Sequence, residues 1–202
     1  CKLEWLMTVY RITEDPTKFK TLSLLPSDLA EQLGDFELVR DILHQPSHNS
    51  SLQPIWGKVN SEFADVLKKD SETPDISIWC PPPPPPPPPP PNYLHNKLST
   101  YGEFLPINVG SETWYFYTAL TFARENKQLT IPKVEYGELI GFETLAFDEE
   151  DTQDKYIFKS LEEGPVNLFC TDIFRELVTE HKLTGVGFSE DLTGLDSIDE
   201  SV

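Results

Sequence analysis

Between Thr8 and Ile12 the chain reads TVYRI, an alternation of apolar and polar side chains with the two-residue period of a strand. Asp15-Pro16 closes it with a turn. Pro26 and Ser27 open a predicted helix, with Ser27 as its cap and Asp28 and Glu31 in the first turn. Leu29, Leu33, Phe36 and Val39 or Arg40 follow at roughly helical spacing, and Gly34 weakens the pattern. His44 to Pro54 is polar and rich in Ser, Asn and Pro, so a loop is expected there. Asn60 or Ser61 caps a second short helix with Phe63, Val66 and Leu67 on its inner face. Ser71 to Asp75 is a further loop, and Ile76 to Trp79 reads as a strand.

Downstream, Asn92 caps a helix through Tyr101, with Leu94, Leu98 and Tyr101 facing inward and Gly102 as a left-handed stop. Phe104 to Ile107 is extended. Thr113 to Thr118 holds Trp114, Tyr115, Phe116 and Tyr117, an aromatic density typical of a sheet. Leu139 to Phe147, Tyr156 to Lys159 and Val166 to Cys170 are three more strand candidates. Thr171 and Asp172 start an amphipathic helix whose stripe is Ile173, Phe174, Leu177 and Val178, ending near His181-Lys182. Leu183 to Phe188 returns as a short terminal strand. Strands and helices segregate, so the expected class is α+β: mainly antiparallel sheet in the C-terminal half, a few packing helices, and a polyproline II interruption.

That interruption is eleven consecutive prolines, Pro81 to Pro91. Proline fixes φ and lacks an N–H, which excludes helix and interior strand. A left-handed rod rising about 3.1 Å per residue would reach roughly 34 Å. It reads as a docking strip for an aromatic groove, a stiff spacer or a tolerated surface loop. Within what is expected to be one domain overall, the chain accordingly divides into 1–79, an N-terminal α/β portion; 80–92, the polyproline segment; 93–190, a C-terminal α+β portion; and 191–202, an acidic tail.

With 202 residues, 38% of them hydrophobic, the chain can bury a core. No apolar run approaches the ~18 residues a membrane span needs, and no signal peptide is visible. Cys1 to Leu6 read as leftover upstream sequence, because Met7 opens a better start. Cys1, Cys80 and Cys170 are odd in number and irregular in spacing, which suits a reducing cytoplasm rather than a disulfide or metal framework. His44 and His48 have helical spacing for two metal ligands, but Pro46 between them should break that helix.

The net charge is −18. Such a chain repels nucleic acid and anionic membrane and steers toward a basic partner. From Glu135 to Asp154 eight acids occur with no basic residue: Glu135, Glu138, Glu143, Asp148, Glu149, Glu150, Asp151 and Asp154. Five more lie between Glu190 and Glu200. They read either as a solvated face or as an interface. Trp114, Tyr115 and Tyr117 are candidate aromatic anchors or, alternately, core.

Catalytic chemistry finds no foothold in the pattern. Gly185 and Gly187 lack the third glycine of a phosphate loop, and no nucleophile elbow or zinc helix is present. The run Asp148-Glu149-Glu150-Asp151 lacks the spaced ligands and glycine of a calcium loop. Cys170 with His181 would be a nucleophile pair, but Cys170 ends an apolar strand and reads as a buried small hydrophobe. No catalytic residue, cofactor or metal is expected.

Four ordered blocks resemble a bacterial family of immunity proteins from polymorphic toxin systems, the eleventh-numbered immunity family. They are MTVYRITEDPTKFKTL (Met7 to Leu22), Pro74-Asp75-Ile76, LHNKLSTYGEFLPI (Leu94 to Ile107) and Tyr156 to Phe188, which holds YIFK and LFCTDIFRELVTEHKLTGVGF. Two departures stand out: the proline run replaces an ordinary polar link, and Thr118 to Gln128 lacks the family's aspartate-containing segment. The resemblance implies a cytoplasmic, non-enzymatic protein that neutralises a cognate toxin, basic in character, by stoichiometric complex formation through its acidic face. The alternatives are an adaptor whose prolines recruit a proline-binding partner, and an enzyme with an unrecognised acidic site.

Overall fold

The computed structural model describes residues 7–77 and 92–194. The proline run, Ile78 and Trp79 of the expected strand, and most of the acidic tail lie outside them. The TVYRI alternation folds as β1 (Val9–Glu14), with Tyr10 and Ile12 buried. In chain order there follow β2 (Thr21–Ser23), α1 (Pro26–Leu33), α2 (Leu38–His48), β3 (Val59–Ala64), α3 (Asn92–Leu98), β4 (Gly102–Val109), β5 (Glu112–Ala119) and β6 (Phe122–Ala123). The remainder are β7 (Ile131–Glu135), β8 (Glu138–Thr144), α4 (Glu149–Thr152), β9 (Ile157–Ser160), β10 (Gly164–Thr171), α5 (Asp172–Glu180) and β11 (Val186–Ser189). The class is α+β, with more strand than helix.

Among the described residues the strands form a five-stranded sheet ordered β11-β1-β10-β9-β6, a four-stranded sheet ordered β2-β3-β4-β5, and the separate pair β7-β8. Most pairings are antiparallel; β3 with β4 and β6 with β9 are parallel. Both larger sheets draw strands from each side of the proline run, since β1 lies between β10 and β11 and β3 lies beside β4.

The β4–β5 hairpin is an internal wall. Leu105, Ile107, Trp114 and Phe116 join Leu22, Leu29, Ile42 and Val59 in one core. Tyr117 and Ala119 join Tyr10, Leu94, Leu98 and Phe174 in another. Gly102 begins β4 and is not the expected left-handed helix stop; a Cβ there would collide with the Thr118 carbonyl and the Tyr117 ring. A third core gathers Phe142, Leu145, Phe147, Phe158 and Phe169.

Four other expectations are corrected. Ser27 does not cap α1: Leu25 holds the N-cap position, Pro26 opens the helix, and Asp28 Oδ2 accepts from the Leu25 N–H at 3.2 Å. Gly34, at φ 80°, ends α1 in the left-handed conformation, so the single helix expected to Val39 or Arg40 becomes two. The polar stretch from His44 does not leave the helix at once, because α2 runs to His48 with Pro46 inside its final turn. Residues 60–67 do not form a helix: β3 pairs with β2 and β4, and Val66 and Leu67 are exposed. Here long-range pairing outweighs local periodicity.

Lys159 shows how α2 is fastened. It is 1% exposed, its Nζ donates to the Pro46 carbonyl at 2.6 Å, and it lies 4.7 Å from the Phe122 ring centre. The ammonium thus meets one of the carbonyls that a helix C-terminus leaves without an N–H. Beside it, buried Gln45 donates to Ser50 O at 2.8 Å and to Thr118 Oγ1 at 3.1 Å. Burial alone lowers the Lys159 pKa to about 8.

Candidate functional site

The segment from Arg124 to Asp148 folds back on itself as one ribbon. At its base Asp148 N donates to Arg124 O at 2.9 Å, and Asn126 N donates to Ala146 O at 2.8 Å. Further out, β7 and β8 pair from Ile131–Thr144 to Glu135–Glu138, leaving Tyr136-Gly137 as a two-residue turn. Phe142, Leu145 and Phe147 root the ribbon in the third core. Beyond Phe142 no core residue packs on it, and a cleft separates Leu139 and Ile140 from Arg11, Glu162 and Glu163 of the body. Ile131, Val134, Leu139 and Ile140 are exposed, and Tyr136, at 105% relative exposure, is bare. Leu139 and Ile140 are consecutive, so both faces of the ribbon carry exposed apolar side chains.

The turn carries φ values of 53° at Tyr136 and 87° at Gly137. Positive φ at both central residues is the signature of a type I′ turn, which matches strand twist. Glycine accepts that conformation freely, whereas a bulky aromatic does not. Directly below the turn Glu135 faces Glu138 across the strands, a like-charge pair that opposes hairpin formation. Lys133 Nζ, 3.9 Å from Glu135 Oε1, offsets part of that repulsion.

The eight acids divide by environment. Asp148 and Asp151 are structural: Asp148 Oδ1 accepts from Glu150 N at 3.0 Å and caps α4, while Oδ2 lies 3.4 Å from Arg124 Nη2. Asp151 Oδ2 accepts from Arg124 N at 2.9 Å and lies 2.9 Å from Lys155 Nζ. Burial pushes the Asp151 carboxyl up, but the Arg124 amide and Lys155 outweigh it and hold the pKa below the ordinary carboxylate value. Glu135, Glu138, Glu143, Glu149, Glu150 and Asp154 are exposed. Between α4, the base of the ribbon and the turn after β9 lies an open groove of about 870 Å³, with Glu125, Asp148, Glu149, Glu150 and Glu162 against Arg124 and Lys127.

Of the two readings open for the β5 aromatics, anchor or core, Trp114 and Tyr117 take the second. Trp114 is buried edge-on against Phe63, with ring centres 4.9 Å apart. Tyr117 is buried as well, its hydroxyl donating to Leu98 O at 3.1 Å, and burial raises its pKa. Both are core because the inner end of β5 has a core on each face. Tyr115 is half-buried opposite Pro106. The exposed side chains Val134, Tyr136, Leu139 and Ile140 escaped the sequence reading. Their signal was present in VEYGELI, an X-Gly turn between apolar runs.

The remaining chemical candidates are structural. Cys170 is fully buried in β10, and that burial pushes its thiol well above the ordinary value, away from nucleophile character. The His181 ring lies 3.0 Å from Leu177 O, at the end of α5. Contrary to expectation Pro46 does not separate His44 from His48, whose rings stack with centres 6.0 Å apart. Among the described residues no group of three or more His, Cys, Asp or Glu side chains could hold a metal ion. Among the same residues no helix is long and apolar enough to cross a membrane. Comparison with protein-family models and with curated proteins yields no match for this chain.

Proposed function

We propose that this chain is an immunity-type inhibitor, a cytoplasmic binding protein that neutralises a basic toxin by forming a stoichiometric complex through its acidic face. One observation carries the reading: of the eight acids between Glu135 and Asp154, only Asp148 and Asp151 are committed to holding the fold, and the other six are exposed. Such a face raises the encounter rate with a basic protein and selects its orientation, at a strength that falls as salt screens it. The resemblance of the four sequence blocks to an immunity family supports the identity of the partner. Nothing in the complex requires catalysis by this chain.

The test is growth rescue and co-purification with the C-terminal toxin domain encoded beside the chain. Two versions are compared: the unaltered protein and one whose prolines are replaced by a Gly/Ser link. Rescue and capture by both versions is the expected result. Loss of both activities in the unaltered protein would defeat the inhibitor reading. Capture of other cellular proteins by the proline-bearing form alone would put the adaptor in its place.

A further inference from the structure

We infer that the β7–β8 ribbon is the docking element of this protein, inserted tip-first by Tyr136 into an apolar pocket of a protein partner whose rim carries Lys and Arg. The inference rests on the inhibitor reading and adds to it the anchor and the shape of the partner's site.

Three features of the ribbon work against its own stability. Tyr136 occupies a positive-φ position at 53° that suits Asn or Gly. Glu135 and Glu138 oppose one another across the last pair. Ile131, Val134, Leu139 and Ile140 keep apolar surface in water on a two-stranded sheet with no third strand among the described residues. Local rules broken together, with no return inside the fold, mark a surface shaped for something outside it. Tyrosine is the residue type that suits such a role, because it offers a large rigid ring and a polar hydroxyl.

Charge selects among occupants. A second copy of this chain would bring Glu135, Glu138 and Glu143 against their own equivalents, and an anionic bilayer would be repelled by the same residues. A basic rim pairs with them. Leu139, Ile140 and Phe142 also line a cleft of about 450 Å³ against Arg11, Glu162 and Glu163 of the body, room for a partner side chain to grip the ribbon from behind.

The test is calorimetric titration of the basic toxin domain into the full chain and three variants, with thermal melting of each. Tyr136→Asn is the informative change, because Asn-Gly is a favoured I′ turn and the hairpin keeps its fold. It should weaken binding about thirtyfold, as loss of an aromatic hot spot does, with no fall in Tm. Ile140→Ser should weaken it about tenfold by the same arithmetic. Val66→Ser, at an exposed apolar site off the ribbon, should leave it unchanged. Full affinity of Tyr136→Asn, or equal loss from Val66→Ser, overturns the docking proposal while leaving the inhibitor reading in place. Absence of binding by the unaltered chain overturns both. Sedimentation showing self-association that Tyr136→Asn abolishes, or Tyr136-dependent binding to phosphatidylglycerol vesicles, overturns the protein partner as occupant.

Discussion

Two hairpins of similar sequence character meet opposite fates in this molecule. β4–β5 and β7–β8 are both antiparallel, both rich in apolar residues, and both closed by a two-residue turn containing glycine. The first turns at Gly110, with φ 61°, the position that a type II′ turn gives to glycine, and is covered by a core on each face. The second turns through a strained tyrosine and has no core on either face beyond Phe142. Apolar content therefore does not distinguish core from interface. The arrangement of turn chemistry, charge pairing and neighbouring layers does.

The sharpest break in the comparison is a truncation on each hairpin. Phe116→Ala on β5 empties a site between packed side chains and should cost about 3–5 kcal/mol in urea unfolding. Ile140→Ala on β8 should change stability by no more than about 0.5 kcal/mol. Equal losses would erase the distinction between wall and ribbon.

Lys159 adds a pH signature to the packed body that the ribbon lacks. Its folded pKa, lowered to about 8, lies below the unfolded value of 10.5. The folded state therefore binds fewer protons between those values, and stability rises with pH across that window. The full gain from this group is about 3 kcal/mol, opposed near the upper end by ionisation of unfolded tyrosines. Lys159→Met should abolish the rise and stabilise the protein at neutral pH. A flat profile in the unaltered chain would mean that the ammonium finds compensation in the core.

Asp151 tests the ribbon's base in the acid range, where its contribution also grows as pH rises. Its folded pKa is depressed from 3.8, so its contribution is present above that value and disappears as pH falls through the folded one. Asp151→Asn should cost about 1 kcal/mol at neutral pH, and the gap from the unaltered chain should close in acid. At the tip the effect is a gain: relief of the left-handed strain by Tyr136→Asn should raise stability by about 1 kcal/mol, measured by thermal melting.

Much of the sheet was legible from the chain. TVYRI, the aromatic strand, YIFK and the helix that follows Thr171 lie where alternation and spacing put them, because each carries a clear apolar pattern of its own. β3 was not legible, since its identity depends on pairing with a strand more than forty residues downstream. Core was one reading of Trp114 and Tyr117, but not their burial in two different cores, because one strand cannot announce that layers lie on both sides of it. The acidic stretch was visible as composition. Which of its members are occupied became clear only when the backbone brought Arg124 and Lys155 to Asp151.

Amide hydrogen exchange on the chain with and without the basic toxin domain tests the central claim most directly. The account predicts a complex in which protection rises along Val134 to Ile140 and beside Glu149 and Glu150, while the β4–β5 wall is unchanged. Protection confined to other surfaces, with the ribbon exchanging as in the free protein, would contradict it.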